Sequence, residues 1–420
     1  MNDRTSFPFD VGVIGLGRVG LPLALSFVET GARVIGFEKS DKELAAIRDG
    51  RMPFQEPGYT ELAASKKLET TTEHRRVSEV EHLIITVGTP LRQHVETDLS
   101  QVMQVMENLL PHLREGQTLI LRSTVAPQTT RYVERVLRTR TSFEIGKNFF
   151  LAFCPERLAA GKAKQEIATL PQIVGAEDPE SARRASALFT RLGPKTLETD
   201  FTSAELAKLF SNIYRYVNFA MANHFAYVAD RHNANIYEIV RLANQDYPRN
   251  NIASPGFAAG ACLRKDFGMI SEDSPYGDLF LAAWRVNEHT PRFLVNGLKK
   301  RTDLFNKRIV VLGASFKRDS DDLRDSLTPK LVRTISREVP KSIAVHDPHA
   351  AEIIEEMRED FSVPNAVLSD VLPTADVVFI AVNHRAYEQN FRKIYDTVPV
   401  GTWFVDIWNV SRRDRTFFKK

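Results

Sequence analysis

Apolar residues recur along this chain in short unbroken runs, and each run closes on glycine or a polar turn. Val11–Ile14 runs into the turn Gly15–Gly20, and the apolar segment Leu21–Glu29 behind it is closed by Gly31 before a second run, Arg33–Phe37. Four or five continuous apolar residues suit a strand buried on both faces, and a glycine after a helical segment is a usual C-cap. The order strand, turn, helix, strand predicts a parallel, doubly wound sheet. The alternation continues with His82–Val87, Thr118–Leu121 and Phe149–Phe153. These strands end at Gly88-Thr89-Pro90, Arg122-Ser123-Thr124 and Cys154-Pro155-Glu156-Arg157. Loops at the carboxyl ends of such strands line the ligand crevice, so the three loops are expected to converge on one site.

The period then changes. From Ser203 to His232 there is neither Pro nor Gly, and Leu206, Phe210, Ile213, Val217, Met221, Phe225 and Val228 fall on one side at helical spacing. A helix of that length spans ~45 Å at 1.5 Å per residue, so it reads as a spine between domains and a candidate dimer contact. Strand-like runs resume with Arg308–Leu312, Ser342–His346, Asp376–Val382 and Trp403–Asp406. The expected fold class is α/β, with two Rossmann-like doubly wound domains joined by a central helical region with a long helix. The expected boundaries are 1–200 for the N-terminal domain, 201–300 for the helical region and 301–420 for the C-terminal domain.

Composition narrows the function. The 420 residues carry 56 basic against 53 acidic side chains, a net charge of +3, which argues against a dedicated nucleic-acid surface. No apolar run approaches the ~18 residues of a membrane span, and the first ten residues lack the apolar core of a secretory signal. Two cysteines, Cys154 and Cys262, are too few for a disulfide framework, and a reducing cytoplasm is the expected setting. None of the ten histidines has metal-ligand spacing, so no metal is predicted.

Gly15-Leu16-Gly17-Arg18-Val19-Gly20 fits the dinucleotide pattern between strand and helix. Its first glycine allows the turn, the second lets backbone approach a pyrophosphate, and the third lets helix and strand pack. Glu38, 18 residues past Gly20, can accept ribose hydroxyls and favours NAD over NADP. Cys262 follows a run of small residues, Gly256 to Ala261, and precedes Lys265 and Asp266. Small neighbours admit a substrate, and a nearby cation favours the thiolate, although a lone cysteine is more often inert and buried. Lys208 and Asn212, four apart on the long helix and read as close to its apolar stripe, could donate to an oxyanion; the plain alternative is a solvated lysine. Lys317 and Arg324 follow the first strand of the second half, where an arginine can clamp phosphate.

Taken in order, these motifs resemble the UDP-glucose/GDP-mannose dehydrogenase family from about Val11 to Asn409: Gly15–Gly20, Val87–Pro90, Ser123–Val125, Cys154–Arg157, Glu205–Lys208 with Asn212, Cys262 with Lys265-Asp266, and Lys317 with Asp322–Arg324. The resemblance implies an NAD-binding domain, a central helical dimerisation region and a domain for the UDP end of a UDP-sugar. It also implies a four-electron oxidation of C6 through a thiohemiacetal and thioester on Cys262, reducing two NAD. In that scheme Lys208 and Asn212 stabilise oxyanions, Asp266 orients Lys208 or assists water, and Thr124 and Glu156 position water. Val19, Thr89, Thr124 and Lys265 join the glycines and Glu38 around NAD. Glu156, Arg157, Lys208, Asn212, Gly260, Lys317 and Arg324 face the sugar nucleotide, and the protein is a homodimer.

Three places depart from the family pattern. Ala160 stands where the family often has Glu, Asn223-His224 replaces Asn-Glu, and the glycine-rich run is alanine-substituted and one residue shorter. Lys265-Asp266 resembles the UDP-glucose branch, whereas Cys154–Arg157 resembles the UDP-N-acetylhexosamine branch, notably UDP-N-acetylmannosamine, so the sugar stays open. A two-electron hydroxyacid-type dehydrogenase would need neither Cys262 nor the second half. A non-catalytic nucleotide-sugar-binding paralogue would bind substrate without forming NADH.

Overall fold

The computed structural model describes residues 7–89, 100–260, 266, 268–270, 276–356, 361, 363–412 and 417–420. The chain divides into two compact units, residues 1–211 with 265–273, and residues 212–264 with 274–420.

In the first unit the strands β1 (Phe9–Ile14), β2 (Val34–Phe37), β3 (Glu69–Thr71), β4 (Val80–Ile85), β5 (Thr118–Leu121), β6 (Phe150–Phe153), β7 (Gln172–Gly175) and β8 (Thr196–Thr199) form one sheet. Its order is β3-β2-β1-β4-β5-β6-β7-β8, parallel throughout except where β7 runs antiparallel to β6. The unbroken apolar runs have a direct cause. Ile84, Ile120 and Ala152 enter one core with Leu21 and Phe27 of the helix Gly20–Glu29, while their neighbours Leu83, Ile85, Leu119, Leu121, Leu151 and Phe153 enter the core on the other face. Side chains alternate across a strand, so a sheet covered on both sides needs apolar residues at every position. Each fully buried Leu, Ile or Phe contributes about 1.5–3 kcal/mol.

The second unit repeats the device. Its strands β9 (Arg308–Leu312), β10 (Ser342–His346), β11 (Val377–Ile380), β12 (Trp403–Val405) and β13 (Phe418–Lys419) are ordered β10-β9-β11-β12-β13, and only β13 is antiparallel. Ile309 and Val311 face one core, Val310 and Leu312 the other. In each unit the strand order reverses at the first strand, between β1 and β4 and between β9 and β11. That reversal opens the crevice in which doubly wound sheets take ligands.

The long helix spans Phe201–Arg231. Its apolar stripe is in large part exposed. Phe210, Met221, Phe225 and Val228 are exposed, whereas Ala204, Glu205, Lys208, Asn212, Ala220 and Asn223 are buried. Lys208 and Phe210 are two residues apart, which on an α-helix places them nearly opposite. The lysine and asparagine therefore lie across the helix from the stripe, not beside it. Among the described residues no helix is long and apolar enough to cross a membrane.

Candidate active site

The turn after β1 has the geometry of a dinucleotide cradle. Gly15 adopts φ +92°, a conformation open to glycine, and the Thr86 hydroxyl, at the end of β4, donates to the carbonyls of Ile14 (3.0 Å) and Gly15 (2.7 Å). A Cβ on Gly20 would stand 1.9 Å from the Gly15 carbonyl oxygen, so this glycine is required by packing. A Cβ on Gly17 would meet nothing within 4 Å. That position therefore borders open space, as backbone approached by a ligand does. The helix behind it begins at Val19 with no side-chain cap and no acid in its first turn; Leu21 and Leu23 give their N–H groups to the carbonyls of Gly17 (3.0 Å) and Val19 (3.4 Å), so an anion would be met by the backbone ahead of them and by the positive end of the helix. Glu38 closes the cradle by accepting from the N–H groups of Leu16 (2.8 Å), Lys39 (2.8 Å) and Ser40 (3.1 Å). An uncapped helix end, open space at the middle glycine and an acid at the end of β2 fit a dinucleotide.

The loops after β4 and β5 are tied together. The buried Thr89 hydroxyl donates to the Thr124 carbonyl at 2.6 Å, and Ser123 Oγ donates to the Val87 carbonyl at 2.7 Å. After β6, Cys154 is fully buried and its thiol is pushed up to about 12 by burial, which the nearby Arg122 charge only partly offsets. A thiol so placed is no nucleophile. Arg122 donates to the Cys154 carbonyl (3.1 Å) and to Gln172 Oε1 (2.9 Å), which fixes the base of that loop. Glu156 accepts from the Leu158 N–H and Arg157 donates to the Pro171 carbonyl, both side chains being half-buried. Beyond Ala160, the N–H groups of Gly161 (2.8 Å) and Ala163 (3.0 Å) are held by Glu56, a buried carboxylate far away in sequence that no motif marked.

On the long helix Lys208 is 4% exposed and Asn212 6%. Among the described residues no hydrogen bond or ion pair joins Lys208 to a side chain. A buried ammonium is costly without compensation. Glu205, three residues before it, is spent on structure. It accepts from the N–H of Gln128 and from the N–H and hydroxyl of Thr130, and burial raises its pKa despite these bonds. Asp266 is completely buried.

In the second unit the glycine-rich run meets the Lys317 loop. Gly260 adopts φ +109°, its N–H donates to the Asp325 carbonyl at 3.2 Å, and a Cβ there would press on the Phe316 ring at 2.6 Å. At the start of the run, Gly256 N–H donates to Asn223 Oδ1 at 2.9 Å, and Asn223 in turn donates to Asn287 at 3.0 Å. Asn223, which keeps the first residue of the family's Asn-Glu pair, thus ties the start of the run to the helix Asp278–Lys299, while its neighbour His224 is exposed, so the family departure there falls on the surface. Lys317 is half-buried; Arg324 is exposed and paired to Asp322 at 2.8 Å. Cys262 and Lys265 lie outside the described residues.

Comparison with known proteins bears on the same segments. Residues 9–193, 202–288 and 310–413 match, in order, the NAD binding, central and UDP binding domains of the UDP-glucose/GDP-mannose dehydrogenase family. A UDP-N-acetyl-D-mannosamine dehydrogenase of Pyrococcus horikoshii is 30% identical over 390 residues, covering 90% of each chain. The solved structure of a UDP-D-ManNAc dehydrogenase from that organism aligns with TM-score 0.84 at 29% identity, covering 94% of this chain and 98% of that one. A UDP-glucose dehydrogenase from Pyrobaculum islandicum aligns with TM-score 0.83 at 26% identity, covering 92% and 93%.

Proposed function

The chain belongs to the UDP-glucose/GDP-mannose dehydrogenase family, and from that premise we propose that it oxidises C6 of UDP-N-acetylmannosamine to the uronate. It is an NAD-dependent nucleotide-sugar dehydrogenase with an NAD binding domain and a UDP binding domain. The observation that carries the finer reading is the buried Lys208, joined to no side chain among the described residues, one helical turn from buried Asn212, beside relatives named UDP-N-acetyl-D-mannosamine dehydrogenases.

NAD, held by Gly15, Gly17, Val19, Gly20 and Glu38 with Thr89, Thr124 and Lys265 nearby, supplies the hydride acceptor for two successive oxidations. Lys208 and Asn212 supply N–H donors where negative charge develops on the C6 oxygen. Cys262 adds its sulfur to the C6 aldehyde, which keeps that carbon bound between the oxidations; water then hydrolyses the thioester and the thiol is released. Cys154, buried and protonated, leaves Cys262 as the nucleophile. Asp266, Thr124 and Glu156 orient Lys208 and the hydrolytic water. Gly260, Arg157, Lys317 and Arg324 receive the sugar nucleotide. The three-part organisation, 1–200, 201–300 and 301–420, follows the same division of labour, and a reducing cytoplasm keeps the thiol available.

We further propose a homodimer. Phe210, Tyr214, Met221, Phe225 and Val228 leave an apolar stripe on the long helix, each more than a third exposed, and an exposed stripe of that kind suits an identical partner. The test of function is kcat/KM for UDP-N-acetylmannosamine, UDP-N-acetylglucosamine, UDP-glucose and GDP-mannose. The first is expected to lead by at least tenfold. A lead by UDP-glucose would move the chain to that branch, and activity on GDP-mannose alone would overturn the UDP reading.

A further inference from the structure

The second unit copies the plan of the first with one inversion at its switch point. In the first unit the acid ending β2, Glu38, is only half-buried. In the second the acid following β10, Asp347, is completely buried and both its oxygens are saturated. Oδ2 accepts from the N–H groups of Ala314 (2.7 Å) and Ser315 (3.0 Å) and from His384 Nε2 (3.1 Å). Oδ1 accepts from the N–H groups of His349 (2.8 Å) and Ala350 (3.1 Å). No lone pair is left for a ribose diol, so this acid organises a loop where its counterpart can hold a ligand.

His384 is the second post of that arrangement. It follows β11, the strand beside β9 at the reversal of order, and is completely buried. Its Nδ1 accepts from the Asp319 N–H at 2.9 Å, so Nδ1 carries the lone pair and Nε2 the proton given to Asp347. The Asp319, His349 and His384 side chains lie within 4.8 Å of one another, but with both ring nitrogens of His384 engaged the trio is no metal cage. Asp319, at φ +52°, is the far point of the loop that leaves β9 and carries Lys317 and Arg324. Its carboxylate accepts from the Arg385 N–H at 2.9 Å, and Arg318 pairs with Glu388 at 2.7 Å, so the helix Arg385–Thr397 grips the same loop from outside. The loop closes on itself through Phe316 N–H to the Asp322 carbonyl at 2.9 Å.

We propose that His384 is a positioning residue for the nucleotide end of the UDP-sugar: strung between Asp347 and the Asp319 N–H, it holds the loop 314–324 in the shape that presents Lys317 and Arg324 to the diphosphate. The proposal rests on the assignment of that loop to UDP given above. His384 touches no substrate; it acts through the loop.

The test uses the full-length enzyme and UDP itself as probe. His384→Gln keeps a donor within reach of Asp347 but loses the acceptor at the Nδ1 position, whereas His384→Asn keeps that acceptor. UDP affinity is measured by calorimetry, NAD affinity by fluorescence, and kcat and KM by NADH formation, on samples whose melting curves establish folding. His384→Gln is expected to weaken UDP binding and raise the sugar-nucleotide KM at least about tenfold, the order of one lost buried hydrogen bond, with kcat and NAD affinity within twofold. His384→Asn is expected to recover most of that loss. Wild-type UDP affinity in both variants, or equal losses in kcat and NAD affinity, would overturn the proposal. Failure of the wild-type protein to bind UDP would instead remove the assignment of the loop, and the proposal with it.

Discussion

Two glycines three residues apart should fail in opposite ways when replaced by alanine. In Gly20→Ala the new Cβ falls 1.9 Å from the Gly15 carbonyl oxygen and 2.5 Å from Thr86 Oγ1. The first of these is backbone, so the turn itself must move, and the Thr86 hydrogen bonds that hold it must stretch. Overpacking of this kind costs about 1–3 kcal/mol, more than the ~1 kcal/mol that alanine recovers in helix propensity. At about 2–4 °C per kcal/mol for a unit of this size, melting of the first unit should drop by several degrees. In Gly17→Ala the Cβ meets nothing within 4 Å, so stability should stay within about 0.5 kcal/mol. The added methyl projects instead into the space where a pyrophosphate would approach. Loss of one charge-assisted hydrogen bond, about 1.5–3 kcal/mol, should weaken NAD binding by roughly 10- to 150-fold. Differential scanning fluorimetry and an NAD titration on both variants read the two effects. Gly17→Ala with unchanged NAD affinity, or Gly20→Ala with an unchanged melting temperature, would refute the reasoning about the cradle.

Alkylation by iodoacetamide at neutral pH should label Cys262 and spare Cys154, and Cys154→Ala should keep wild-type turnover; peptide mapping that finds Cys154 labelled in folded protein would contradict its burial. Burial alone would raise the Asp347 carboxyl, but the hydrogen bond from His384 and the N–H groups of Ala314 and Ser315 overrule it and hold the group at about 2. A folded pKa below the unfolded ~3.9 contributes stability that is present above pH 4 and lost as pH falls toward 2, about 2 kcal/mol in all. Urea midpoints between pH 4 and pH 2 should therefore fall less steeply in Asp347→Asn than in the wild type, and parallel slopes would sink this assignment. Phe225→Glu puts a charge into the exposed stripe of the long helix and should shift sedimentation from dimer to monomer; an unchanged dimer would place the interface elsewhere.

Much of this architecture is legible in the chain because its strands are covered on both faces. Arg308–Leu312 can be delimited to the residue because its positions after Arg308 are all buried and apolar, and the edge strand Ser342–His346 is marked by its apolar interior, Ile343-Ala344-Val345. Strands escape the pattern for different reasons. Thr196–Thr199 is only partly covered and Gln172–Gly175 begins with a glutamine that bonds to Arg122, so neither presents a run. The long helix teaches a different limit. Periodicity locates its apolar face, but not what covers that face. Phe210 and Phe225 are exposed, while the buried side mixes alanines and Leu209 and Tyr216 with polar groups such as Lys208 and Asn223. Site residues within local motifs, such as Gly15–Gly20 and Glu38, could be read from spacing. Glu56 and His384 could not, because each is a single polar residue whose partner lies tens of residues away.

The proposed function turns on a four-electron oxidation through a covalent intermediate on Cys262. Its most direct test is the amount of NADH formed per mole of UDP-N-acetylmannosamine consumed to completion. Two NADH per sugar, with the uronate as sole product, is the predicted result. One NADH per sugar with free aldehyde in solution would contradict the claim, since an aldehyde held on sulfur does not leave before the second oxidation.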